Sequence, residues 1–199
     1  DIVIPLEVIP EFSDFIETLN LECMARAYRT ALQEVGRLRG VAAKDELINM
    51  EFAYSSDILD GKVTTKDLND QELEMQAFYF FIDLKSRYPD LEEELDEIHD
   101  KMTRTRVIVA NHMHAGDGNC HVNLPADSNN PEMLRQVHEA AEKVFKKVLS
   151  LDGEVTGEHG IGITKIGFLG EDKMAALRAY KAEVDPKGIL NPGKLTQAK

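Results

Sequence analysis

The sequence of 199 residues is poor in cysteine and in basic residues, and it lacks a long apolar run. Its two cysteines, Cys23 and Cys120, are too few for a disulfide framework and fit a reducing compartment, so we expect a cytoplasmic protein. The chain has 23 basic and 36 acidic residues, which gives a net charge of −13. Such a charge repels phosphate backbones and argues against a nucleic-acid partner. No apolar stretch approaches the ~20 residues of a membrane-spanning helix.

The chain does contain enough apolar material for a compact core. Hydrophobic residues make up 43% of it, which is too many for an intrinsically disordered segment. The opening residues, Asp-Ile-Val-Ile-Pro, read as a strand without an initiator Met, so we expect a piece of a longer polypeptide. We expect residues 1–199 to form a single domain of that polypeptide.

Periodicity predicts the fold class. Apolar residues recur at spacings of three and four over most of the chain, which is typical of helices. Residues 1–9 and the runs on both sides of Asp117-Gly118 are predicted strands, and Asp-Gly between two such runs indicates a β-hairpin. Asp90 and Glu93 have the spacing of a capping box at a helix start. The sequence therefore predicts an α+β fold with an antiparallel sheet and helices packed on one face.

The first segment that can carry chemistry is the hairpin region from His112 to Asn123. Side chains alternate along a strand, so the hairpin can bring His114 and His121 side by side across its base. Two imidazoles held in that way are natural ligands for Zn²⁺ or another first-row ion. His112 reads as a supporting or core residue, and Cys120 as a small buried hydrophobe rather than a nucleophile.

The second segment is Gly157-Glu-His-Gly-Ile-Gly162, in which Glu158 and His159 stand between glycines outside any predicted helix. A carboxylate and an imidazole in that setting can bind a metal ion and move a proton. The alternative is a structural ion pair at a glycine turn.

Three motifs follow one another in the C-terminal half: His114-Ala-Gly-Asp-Gly-Asn-Cys-His-Val-Asn123, the segment 157–162, and Asp185-Pro-Lys-Gly-Ile-Leu-Asn-Pro-Gly-Lys194. In this order they resemble the C-terminal domain of FAD-linked oxidases, the group of glycolate oxidase, D-lactate dehydrogenase and D-2-hydroxyglutarate dehydrogenase. The resemblance extends over residues 105–195 and is thin from 11 to 104.

The resemblance implies a ferredoxin-like α+β domain that caps a flavin and forms the substrate site, with FAD bound mainly by a separate N-terminal domain. It implies that His114, His121 and Glu158 hold a divalent cation, often zinc. Asn123 corresponds to a substrate-binding residue and His159 to the proposed catalytic base.

The same resemblance places the turn Asn191, Pro192 and Gly193 near the flavin. It implies a small 2-hydroxy acid as substrate and the FAD domain of the same polypeptide as partner. It also permits an iron–sulfur or quinone electron acceptor and a homo-oligomer.

The resulting hypothesis is the substrate domain of an FAD-dependent dehydrogenase that oxidises a D-2-hydroxy acid to the 2-oxo acid. A three-ligand metal leaves one position for the substrate hydroxyl, His159 accepts the proton, and the C2 hydrogen leaves as hydride to the flavin. We expect the 199-residue chain alone to be inactive. No upstream arginine segment suited to a substrate carboxylate is apparent. The alternatives are a metal-binding or regulatory module without redox activity and a metal-dependent hydrolase.

Overall fold

The computed structural model describes residues 1–42 and 45–195. The chain forms two compact units, and it passes between them several times, so each unit is assembled from separate segments. Unit 1 contains Asp1–Phe12, Asn111–Val122 and the segment from Ala141 onward, and unit 2 contains Ser13–Ala110 and Asn123–Ala140. The expectation of one domain over the whole chain stays a prediction.

A three-stranded antiparallel sheet confirms the predicted α+β class. It consists of β1 (Ile2–Val3), β2 (Ala110–His114) and β3 (Asn119–Asn123) in the order β1-β3-β2. The predicted strand over 1–9 is wrong in length, because β1 ends at Val3 and residues 6–8 form a 3₁₀ turn. Pro5, which precedes that turn, has no N–H to continue a ladder.

The hairpin predicted at Asp117-Gly118 is confirmed, since a turn over 115–118 joins β2 to β3. Gly118 has a φ of 75°, and a Cβ there would lie 2.1 Å from the carbonyl oxygen of Ile4. The Ile4 N–H donates to the Gly118 carbonyl over 3.0 Å. Only glycine therefore lets the segment after β1 lie against this turn.

Six α-helices account for most of the described residues. They are α1 (Ile9–Val35), α2 (Glu46–Leu59), α3 (Asp70–Arg87), α4 (Glu92–Thr105), α5 (Pro131–Ser150) and α6 (Glu171–Val184). Among the described residues, no helix is both long and apolar enough to cross a membrane.

The capping box predicted at Asp90 and Glu93 is wrong. Pro89 opens a 3₁₀ turn that ends at Leu91, and Leu91 caps α4 without a side-chain hydrogen bond. Asp90 lies inside that turn, so its carboxylate is not at the cap position. A capping box is instead present at the start of α3, where Asn69 and Glu72 bond each other's backbone amides.

The core of unit 2 is built from the inner faces of α1 to α4. Tyr28 is fully buried there and donates a 2.9 Å hydrogen bond to Glu51, because a buried hydroxyl needs a partner. In the aromatic run of α3, Phe80 and Phe81 are buried, whereas the two preceding aromatic residues face solvent. Phe80 and Phe81 follow the buried Ala77 by three and four residues, so all three lie on the same face of the helix.

Candidate metal centre

The hairpin brings three imidazoles together in unit 1. His114 ends β2, and its ring centroid lies 5.7 Å from that of His121 in β3. The ring of His112 stacks on that of His121, with a centroid distance of 5.0 Å and an angle of 9° between the planes. Burial lowers the pKa of His121, although the nearby Glu158 carboxylate opposes that shift. A neutral imidazole is the form that binds metal ions.

The segment carrying Glu158 is tied to the sheet through β1. The N–H and carbonyl of Val3 both bond Glu154, over 2.9 and 2.7 Å. Gly153 permits this approach, since a Cβ there would lie 2.6 Å from the Val3 carbonyl oxygen. The chain therefore leaves the edge of β1 and enters the glycine-rich segment directly afterwards.

The carboxylate of Asp1 then organises that segment. One of its oxygens accepts hydrogen bonds from three successive amides, those of Gly157 (2.7 Å), Glu158 and His159 (3.2 Å). Its other oxygen lies 2.9 Å from Nζ of Lys165, and the Asp1 side chain is fully buried. Successive amides around one anion fix the backbone, so the main chain at Glu158 is held by a residue 157 positions away.

Sequence reasoning missed Asp1 and Lys165. Neither belongs to one of the three motifs, and their contacts depend on the pairing of β1 within the sheet. Burial lowers the pKa of Lys165, although a hydrogen bond with the N-terminal group opposes that shift.

The potential ligand atoms of His114, His121 and Glu158 all lie within 4.8 Å of one another. Nε2 of His121 is 4.0 Å from Oε2 of Glu158. Two ligands of one tetrahedral zinc ion, each about 2 Å from the metal, are separated by about 3.3 Å. Two imidazoles and a carboxylate at this spacing therefore fit a divalent cation such as Zn²⁺ after a small contraction.

His159 lies beside this group and is 63% exposed. Its Nε2 is 3.8 Å from Oε2 of Glu158, and its ring centroid is 5.3 Å from that of His121. Asn119, which sequence reasoning also missed, donates a 2.7 Å hydrogen bond from Nδ2 to Oε1 of Glu158. One indication of this role was available in the sequence, namely the position of Asn119 inside the motif from His114 to Asn123.

Two further sets of predicted site residues are exposed. Asn123 is the last residue of β3, two positions after His121 and therefore on the same strand face. Asn191, Pro192 and Gly193 form a turn in which the Lys194 amide bonds the Asn191 carbonyl over 3.2 Å. Asn191 and Gly193 have φ values of 45° and 80°. The roles of Asn123 and of this turn stay predictions.

Two basic side chains upstream of the hairpin make structural contacts within unit 2. The guanidinium of Arg29 lies over the ring of Phe52 at 4.7 Å. Nζ of Lys85 bonds Asp96 over 2.8 Å and joins α3 to α4. These contacts show packing roles for both side chains.

A family of known proteins matches the part of the chain that contains the three motifs. The profile of a family described as "FAD linked oxidases, C-terminal domain" matches residues 59–195, more than half of the chain. The match therefore begins well upstream of residue 105.

Individual relatives each match less than half of the chain. Glycolate oxidase subunit GlcD of Bacillus subtilis (strain 168) is 36% identical over 102 residues, which are 49% of this chain and 22% of the relative. D-lactate dehydrogenase [cytochrome], mitochondrial, of Kluyveromyces lactis is 41% identical over 86 residues, 41% of this chain and 14% of the relative. D-2-hydroxyglutarate dehydrogenase of Stutzerimonas stutzeri (strain A1501) is 36% identical over 91 residues, 43% of this chain and 20% of the relative. The matched part thus spans about a fifth or less of each of these relatives.

Proposed function

Because the chain belongs to the family of C-terminal domains of FAD linked oxidases, we propose that it is the substrate domain of a flavoprotein that oxidises a D-2-hydroxy acid to the 2-oxo acid. The observation that carries the proposal is the convergence of His114, His121 and Glu158, with His159 beside them. Glycolate, D-lactate and D-2-hydroxyglutarate, after which these relatives are named, share a hydroxyl next to a carboxylate. That pair of groups can chelate a metal ion.

In this proposal a divalent cation held by His114, His121 and Glu158 supplies polarisation of the substrate hydroxyl, and FAD bound elsewhere in the polypeptide supplies the hydride acceptor. Three protein ligands leave a coordination position open, as a catalytic metal requires. His159, which is exposed and adjacent to Glu158, accepts the hydroxyl proton. By the resemblance of its motif, Asn123 contacts the substrate.

Further assignments complete the proposal. The turn at Asn191, Pro192 and Gly193 lies against the flavin, and residues 1–199 act as one domain of a longer cytoplasmic polypeptide. An iron–sulfur protein or a quinone takes the electrons, and the full protein forms a homo-oligomer. The cytoplasmic location rests on the low cysteine content, and the other assignments rest on the resemblance of the motifs.

Metal binding is tested with the 199-residue chain purified without chelator. We expect about one Zn²⁺ per chain by elemental analysis, and loss of that ion in the His121→Ala variant. His138→Ala is the matched control, since His138 is an exposed histidine on α5 that bonds the Leu134 carbonyl. A wild-type chain that binds no divalent cation, or a His121→Ala variant that binds as tightly as wild type, refutes the metal assignment.

Catalysis is tested by joining the chain to the FAD-binding part of its own polypeptide and supplying a dye as electron acceptor. We expect oxidation of a D-2-hydroxy acid, and a fall in kcat of about 10²–10⁴-fold in His159→Asn, the range for loss of a general base. Persistent inertness favours a metal-binding or regulatory module. Ester or amide hydrolysis without flavin favours a hydrolase.

A further inference from the structure

We infer that Asn119 is a positioning residue that selects which oxygen of Glu158 is offered to the cation. This inference rests on the metal site proposed above. It begins from the 2.7 Å hydrogen bond between Nδ2 of Asn119 and Oε1 of Glu158. With Oε1 engaged, the other oxygen, Oε2, is the one that lies 4.0 Å from His121 and 3.8 Å from His159.

The chemistry of the pair fixes its direction. An ionised carboxylate can only accept hydrogen bonds, so the amide group must present its NH₂ to Glu158. A hydrogen bond to a charged acceptor is about twice as strong as a neutral one. The contact therefore holds Glu158 in one orientation and leaves a single oxygen free to act as a ligand.

Asn119 is itself held rigidly. It is paired with Val3 across β1 and β3, and its backbone N–H donates to the Asp117 carboxylate over 3.1 Å. The residue is only 5% exposed. A side chain anchored on a sheet positions a ligand more accurately than one on a loop does.

The glycine-rich segment rests directly on this side chain. A Cβ at Gly157 would lie 3.1 Å from Oδ1 of Asn119 and 2.9 Å from Cγ2 of Val3. Glycine at 157 therefore allows the backbone before Glu158 to approach Asn119 closely enough for the hydrogen bond.

The buried amide of Asn119 lowers the stability of the folded protein rather than raising it. Its Oδ1 is buried and, among the described residues, has no hydrogen-bond partner. An unsatisfied buried acceptor destabilises the folded state. Removing this amide should therefore change the stability of the metal-free protein little, whereas it should weaken metal binding.

The test measures Zn²⁺ affinity by competition with a chelator, together with the Tm in EDTA. We expect Asn119→Ala to raise the Kd for Zn²⁺ about 10–100-fold, the range for residues that orient metal ligands, with little change of the metal-free Tm. Asn119→Thr serves where alanine impairs folding, because threonine suits a strand and is too short to reach Glu158.

Asn111→Ala is the matched control. Asn111 lies one strand away, and its Oδ1 is likewise buried without a partner among the described residues. We expect the Kd of this variant to stay within about twofold of wild type, because no metal-orienting contact is lost.

A double-mutant cycle separates positioning from general structural damage. In a Glu158→Ala background, Asn119→Ala should cause no further loss of Zn²⁺ affinity, since the carboxylate that it positions is gone. An unchanged Kd in Asn119→Ala, or an equal loss in both backgrounds, overturns the inference and leaves the metal site standing. A wild-type chain that binds no cation refutes the metal site itself, and this role of Asn119 with it.

Discussion

Replacement of Gly118 by alanine should destabilise the hairpin that carries His114 and His121. The φ of 75° at this position costs an L-residue about 1–2 kcal/mol. The new Cβ would also lie 2.1 Å from the Ile4 carbonyl oxygen, so the backbone must move apart. That movement breaks the 3.0 Å hydrogen bond from Ile4 to Gly118, worth about 1 kcal/mol.

Alanine has a compensating effect of about 0.4–1 kcal/mol, because it reduces the conformational entropy of the unfolded chain. Relief of the steric overlap adds a cost of about 1–3 kcal/mol. We therefore expect the free energy of unfolding to fall by about 3 kcal/mol, which lowers the Tm by about 6–12 °C for a chain of this size.

Urea unfolding and hydrogen exchange measure this effect, and Gly116→Ala is the control. Gly116 lies in the same turn, and a Cβ there would meet nothing within 4 Å. We expect the control to stay within about 0.5 kcal/mol of wild type, as for an ordinary surface substitution. In Gly118→Ala the Ile4 amide should also lose protection from exchange. Equal stability of the two variants would refute the reasoning.

Three other predictions concern different parts of the chain. Burial alone would raise the pKa of Asp45, but hydrogen bonds, led by that from Tyr88, lower it. The ionised Asp45 therefore stabilises the fold above its unfolded pKa of about 3.9. This stabilisation is lost as the pH falls through the lower pKa of the folded state. Asp45→Asn should therefore show a shallower acid loss in urea unfolding at pH 7 and pH 3; an unchanged pH dependence contradicts this. Zn²⁺ at 100 times its Kd should stabilise the chain by about 2.7 kcal/mol, and no such rise of Tm should occur in His114→Ala. Cys120 is fully buried and should resist iodoacetamide in the native protein, whereas the half-buried Cys23 reacts first by mass spectrometry; equal rates would count against the packing around Cys120.

Local sequence patterns were sufficient to predict those elements that form within a single segment of the chain. Asp117-Gly118 predicted a hairpin because a tight turn needs a residue that adopts positive φ. The helices α3 and α5 follow from apolar residues at spacings of three and four, and Asn130-Pro131 marks the start of α5. The prediction of a capping box at Asp90 was wrong because a 3₁₀ turn begins one residue earlier, at Pro89. Neighbouring residues can each start a helical turn, so sequence patterns locate helix ends only to within one or two residues.

The sequence by itself determined which side chains could serve as ligands, since His114 and His121 are fixed by one hairpin and Glu158 stands in a distinctive glycine-rich segment. Only the tertiary structure decided how they meet. Asp1 and Asn119 orient Glu158 through β1 and β3, and such long-range hydrogen bonds leave no periodic trace along the chain. Spacing records only which residues share a local element, whereas the geometry of a site depends on segments brought together by folding.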